Sequence, residues 1–136
     1  LRTSQEGRCV SAARGLVLDA GAFIAAERRD ERMVALVAAL HKARIPLVTS
    51  AGVVGQVFRG GTGRQVPVSF LLRQTAVIDL TYAVARVLGR MLGSTKTSDV
   101  IDAHIVLLAR ERDWTVLTSD PDDLRRIDPG LTIETI

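Results

Sequence analysis

Between Thr97 and Asp123 the sequence TSDVIDAHIVLLARERDWTVLTSDPDD passes from helical to β-type patterning with almost nothing between the two, which restricts the fold more than any other stretch. Val100, Ile101, Ile105, Val106, Leu108 and Ala109 recur at helical spacing, and Arg110, Glu111 and Arg112 close the last turn with polar groups. Trp114, Val116 and Leu117 then form a short apolar run with no room for a second helix, ended by Thr118-Ser119-Asp120-Pro121. A helix feeding directly into a short buried strand is half of a βαβ unit, and in parallel sheets ligands gather at the carboxyl ends of the strands. Asp120 stands at such an end.

The acids of this stretch have two readings. Asp99 and Asp102 are three apart and share one face of the first helical turn, while Asp120 follows the strand to which the helix leads, so the three can converge. Taken singly, Asp99 is also a good N-cap with Asp102 near N3, and Asp120-Pro121-Asp122-Asp123 reads as an N-cap, a Pro at N1 and two first-turn acids. A fourth acid shifts the balance. Leu16-Val17-Leu18-Asp19 is an all-apolar run ending in a carboxylate, the pattern of a central parallel strand that delivers its last residue to the sheet edge.

The remaining segments fit the same architecture. Ala20 to Ala26 begins a helix, the charged run Arg28 to Arg32 turns it, and Met33, Val34, Leu36, Val37 and Leu40 give the next helix an apolar stripe with His41 and Lys42 at its basic end. Ile45 to Thr49 reads as the second strand, and Ser50 caps a helix over Ala51 to Arg59 that ends in a flexible Gly60-Gly61-Thr62-Gly63 loop without a P-loop pattern. Val66 to Leu72 forms a short helix, Thr75 to Leu80 the third strand, Tyr82 to Leu92 an amphipathic helix stopped by Gly93, and Leu131 to Ile136 an edge strand. The order is that of an α/β protein with a mostly parallel central sheet flanked by helices. At 136 residues and 47% hydrophobic, the chain suits one domain over residues 15–136, and residues 1–14, with three Arg and no periodicity, read as an N-terminal extension without order.

Cys9 is alone, which excludes an intrachain disulfide and a Cys-based metal site. With no run of 18 apolar residues and no signal-peptide core, the expectation is a soluble cytoplasmic protein with no membrane association. The net charge is +3, and all of the 18 basic residues except Lys42 and Lys96 are Arg, whose planar fork suits phosphate. That balance permits nucleic acid without demanding it. Carboxylates clustered at one sheet edge repel one another unless a cation neutralises them, so Asp19, Asp102 and Asp120, supported by Asp99, point to a hard divalent ion, Mg²⁺ or Mn²⁺. Such a metal polarises a phosphodiester and activates water.

Leu18-Asp19-Ala20-Gly21-Ala22-Phe23-Ile24, Asp102-Ala103-His104-Ile105 and Leu117-Thr118-Ser119-Asp120-Pro121-Asp122-Asp123-Leu124, in this order and with this spacing, resemble the PIN-domain ribonucleases, in particular the VapC toxins of type II toxin-antitoxin systems. The resemblance runs from about Gly15 to Ile136. It implies a PIN-like α/β/α sandwich and a Mg²⁺- or Mn²⁺-dependent endoribonuclease that hydrolyses structured RNA at single-stranded or looped sites, with Asp19, Asp102 and Asp120 as catalytic residues. It also implies a cognate VapB-type antitoxin, whose C-terminal segment blocks the acidic site, and a homodimer. Arg59, Arg64, Arg125 and Arg126 lie in segments that can rim such a site and bind RNA phosphates.

One position departs from the family pattern. The second acid of the family is a Glu on the helix after the second strand, and the matching residue here is Gln56, whose amide offers an oxygen without a charge. Asp99 is the better candidate to restore that charge, because Glu27 lies eight residues past Asp19, about two helical turns away. The substitution opens the alternative of a weakened PIN module that binds RNA or antitoxin without efficient cleavage. His104, two residues from Asp102, reads as a packed core histidine rather than a base.

Overall fold

The computed structural model describes residues 14–95 and 99–136, so the extension expected over residues 1–14 lies, apart from Arg14, outside the described residues, as does Ser98. Five short strands, β1 (Leu16–Leu18), β2 (Leu47–Ser50), β3 (Thr75–Ile78), β4 (Thr115–Thr118) and β5 (Ile133–Thr135), form one wholly parallel sheet in the order β3-β2-β1-β4-β5. Seven α-helices among the described residues connect and cover it: α1 (Ala20–Glu27), α2 (Glu31–Ala43), α3 (Ala51–Val57), α4 (Val66–Arg73), α5 (Tyr82–Thr95), α6 (Val100–Arg112) and α7 (Pro121–Ile127). A parallel sheet buries both faces, and its central strand obeys that rule: Leu16, Val17 and Leu18 are completely buried.

The chain runs outward from β1 through β2 to β3, then returns to place β4 on the other side of β1. Strand order therefore reverses between β1 and β4, and open α/β sheets bind ligands in the crevice at the carboxyl ends of such a pair. Asp19 and Asp120 follow those two strands. Helix α6 lies against β1, β2 and β4 and brings its own first turn to the same end, while α1 packs against β1, β4, α3 and α4.

Local sequence explains most boundaries. The Asp30 carboxylate accepts from Met33 N at 3.0 Å and starts α2, and Ser50 Oγ accepts from Gly52 N at 3.0 Å and starts α3. Helix α3 ends at Val57, before Arg59, and β3 ends at Ile78, which leaves Asp79 in the following turn. Gly93 does not stop α5, which continues to Thr95 with the Ser94 hydroxyl bonded back to Arg90 O at 2.9 Å. Lacking a side chain at an exposed position, a glycine weakens a helix by only about 1 kcal/mol, and the apolar stripe through Leu88 and Leu92 outweighs it.

Candidate functional site

Asp19 is the first residue beyond β1 and caps α1: its Oδ1 accepts from Ala20 N at 2.8 Å. Its Oδ2 accepts from the Thr118 hydroxyl at 2.9 Å, and the same Thr118 oxygen accepts from Asp120 N at 3.0 Å. One fully buried threonine thus fixes the carboxylate after β1 to the backbone that carries the acid after β4. The Thr49 hydroxyl of β2 secures the adjoining strand end, donating to Leu18 O at 2.6 Å. Close approach of α1 to the β4–α7 connection requires Gly21, since a Cβ there would collide with the side chain and backbone of Ser119.

The electrostatics show which acids come together. Asp102 is pushed up to about 7, first by burial and then by the charges of Asp99, Asp19, Asp123 and Asp120. Burial also raises Asp19, against the hydrogen bonds from Ala20 and Thr118, and Asp99 and Asp123 raise it further. Asp120 is raised by the neighbouring carboxyl of Asp123, then by desolvation. The other three acids expected from the sequence therefore lie within electrostatic reach of Asp102, as does Asp123, expected only as a first-turn acid of α7. Asp99 is the N-cap of α6, accepting from Asp102 N at 2.9 Å, as its first reading expects. Asp120, in contrast, makes no side-chain cap bond to α7.

These oxygens are the donors a hard divalent cation takes. Among the described residues no three His, Cys, Asp or Glu side chains stand close enough to hold a metal ion, so the cluster is a set of carboxylates within electrostatic reach rather than a closed coordination shell. His104 is buried in the core, 2.7 Å from Ser50 Oγ, and burial lowers its affinity for a proton. As expected, it serves packing.

Gln56 is exposed and lines a separate cavity of about 440 Å³ with Ile24, Glu27, Arg59, Thr62 and Arg64. The arginines expected to meet phosphate are mostly engaged within the chain. Arg59 donates to Gly55 O and Phe58 O, Arg64 pairs with Glu27 at 3.6 Å, and Arg126 pairs with Asp123 at 2.9 Å. Arg125 is exposed. Gln65, which sequence reasoning passed over, is the hub of this region: its Oε1 accepts from the backbone of Arg59 and Gly61, and its Nε2 donates to Glu27 Oε2 at 2.9 Å and Val57 O at 2.7 Å. The loop expected to be flexible is thereby tied at several points, with Ser69 Oγ donating to Gly61 O as well. Its three glycines all take positive φ.

A larger cavity, of about 520 Å³, lies away from the acids, between α1, α2 and α4, lined by Ala26, Met33, Val34, Val37, Pro67 and Phe70. No described helix is long and apolar enough to cross a membrane.

The family model for the PIN domain matches residues 16–129. No curated protein matches significantly. Among solved structures, the chain is similar to a chain of VapBC2 from Rickettsia felis bound to a DNA fragment from their promoter, with a TM-score of 0.63, 16% identity and coverage of 88% of this chain and 97% of that one. It is also similar to a chain of FitAB bound to an IR36 DNA fragment, with a TM-score of 0.61, 19% identity and coverage of 88% and 94%. FitAcB from Neisseria gonorrhoeae gives a TM-score of 0.56, 19% identity and coverage of 87% and 95%. At these identities the likeness is one of fold.

Proposed function

Since the chain belongs to the PIN-domain family, we propose that it is a metal-dependent endoribonuclease acting as the toxin of a toxin-antitoxin pair. The observation that carries this reading is geometric: Asp19 and Asp120 follow the two strands between which strand order reverses and are joined through the Thr118 hydroxyl, with Asp102 within electrostatic reach of both. A site that strains its own carboxylates in this way favours binding of positive charge.

Asp19, Asp102 and Asp120 would hold a Mg²⁺ or Mn²⁺ ion, with Asp99 adding charge beside them. Such an ion supplies polarisation of a phosphoryl oxygen and a lowered pKa for an attacking water. The chain's own residues set the stage for that chemistry. Thr118 and Ala20 N each occupy one oxygen of Asp19, fixing its plane while leaving a lone pair on each oxygen. Arg125, free of the carboxylate that engages Arg126, is the better placed of the two to meet a phosphate.

Calorimetric titration with Mn²⁺, with cleavage of cellular RNA assayed alongside, tests the reading. Saturable binding and cleavage are expected in the native chain, both lost in Asp19→Asn and Asp102→Asn. No binding at millimolar metal would leave the acids as helix caps. A second reading, a module that binds without cutting, draws on Gln56 standing where the family carries Glu. Gln56→Glu would raise cleavage in a weak enzyme and leave a pure binder inert.

The structural neighbours are toxin-antitoxin complexes, and for this chain we assign an antitoxin segment to the groove between α1, α2 and α4. Its apolar floor and flanking Arg29 and His41 suit an amphipathic helix with acidic residues on its rim. Val37→Glu should abolish rescue by a co-expressed antitoxin. A homodimer completes the proposal, and its mass in solution is the check.

A further inference from the structure

The 440 Å³ cavity is not used by the acidic cluster, and its chemistry is unlike that cluster's. Glu27 supplies a carboxylate, Gln56 an amide that both donates and accepts, Arg64 a cation and Ile24 an apolar surface 38% exposed. The Gln56 side chain has no hydrogen-bond partner among the described residues. Glu27 has capacity left too: Gln65 occupies one oxygen at 2.9 Å and Arg64 stands 3.6 Å from the other, whereas a carboxylate accepts at about four positions. The hydrogen bond from Gln65, and then the charge of Arg64, hold the Glu27 carboxyl below its ordinary range, so it acts as an acceptor at neutral pH.

The frame of the cavity is preset. Gln65 is 5% exposed and ties α1, α3 and the glycine loop together through four hydrogen bonds, so the frame behind the rim is braced. Location adds a constraint. Asp19 caps the start of α1, and Ile24 and Glu27 lie about 7 and 12 Å further along that helix, so the cavity adjoins the acids at that remove. A single strand advancing at least about 3.4 Å per nucleotide covers that distance in a few steps.

From this placement we infer that the cavity bounded by Ile24, Glu27, Gln56, Thr62 and Arg64 is a nucleobase pocket selective for guanine near the cut. The inference rests on the RNA reading above and adds the base that the chain selects. Guanine presents two adjacent donors, N1–H and the N2 amino group, to an ionised carboxylate, and its O6 accepts from the Gln56 amide or Arg64. Adenine would set its N1 lone pair against the Glu27 oxygen and leave a donor unmatched. Unpaired bases are read in this way, on their Watson–Crick edges with a face against a side chain. On this account Gln56, at the position of an acid in the family pattern, serves selection of the substrate.

The test is a titration of the isotope-labelled full chain with GMP, IMP, AMP, CMP and UMP, followed by NMR, together with mapping of cuts in random-sequence RNA. GMP should shift the Glu27, Gln56 and Thr62 signals and bind about tenfold more tightly than AMP, with IMP, which lacks the N2 amino group, in between. Glu27→Gln should shrink the GMP-to-AMP ratio to about threefold or less. The GMP and IMP comparison needs no variant, so it stands if that substitution disturbs the Gln65 frame. Equal affinities, or shifts confined to the aspartates, overturn the pocket; RNA cut without guanine enrichment then leaves the nuclease intact. GMP-selective shifts in a chain that cuts no RNA support the pocket and remove the nuclease.

Discussion

Thr118 contributes a single hydroxyl to two partners, the Asp19 carboxylate and Asp120 N, from a fully buried position. Thr118→Val removes both bonds at nearly constant volume, and we expect a loss of about 1–3 kcal/mol in chemical denaturation together with weaker Mn²⁺ binding. Asp102 gives a pH signature. Its folded value of about 7 lies above the ordinary 3.8, so the folded protein holds a proton that the unfolded chain has released. That contribution is full below the ordinary value and is lost as pH rises through about 7. Because Asp102 is only partly buried, screening limits the effect to roughly 1–2 kcal/mol. Metal-free Asp102→Asn should therefore unfold at higher denaturant than the native chain at pH 8, and the difference should vanish near pH 4. Asp102 and Asp19 were legible from the sequence because each sits at a patterned boundary, a helix's first turn or a strand's last residue. Gln65 was not, because its role depends on Glu27, 38 residues away.

At the scale of elements, the hydrophobic periods placed all five strands and the helices up to β4, since burial on both faces of β1 and one stripe of each helix leaves a direct mark in residue order, whereas α7 showed only its capping signature at Asp120 to Asp123. Ends were less legible. Gly93 reads as a stop, yet α5 passes it because contacts with α6 and α7 outweigh a local preference. Gly21 shows the opposite case, a glycine inside a helix whose reason is a neighbour nearly a hundred residues on. Gly21→Ala should displace Ser119 and the start of α7, costing about 1–3 kcal/mol of stability and lowering affinity for Mn²⁺. A Gly93→Ala control, where a Cβ meets nothing, should be neutral or slightly stabilising.

For the whole molecule, a parallel α/β architecture was legible, whereas the order β3-β2-β1-β4-β5 was not, because which side of β1 receives β4 leaves no periodic trace in the chain. That order makes the acidic site a property of the assembled sheet. A cation bound there should stabilise the entire fold, by about 2.7 kcal/mol at about a hundred times its Kd, and a thermal melt with and without Mn²⁺ measures it. The increment should be larger at pH 8 than at pH 5, where protons compete for Asp102.

The bond between Thr118 and Asp19 closes a separation of 99 residues. During synthesis, Asp19 emerges 99 residues ahead of Thr118 and waits without β4 beside it until that strand is made. A nascent chain halted before Thr115 lacks β4 and cannot complete the central pairing, so the carboxylates that follow β1 and β4 come together only after β4 has been made.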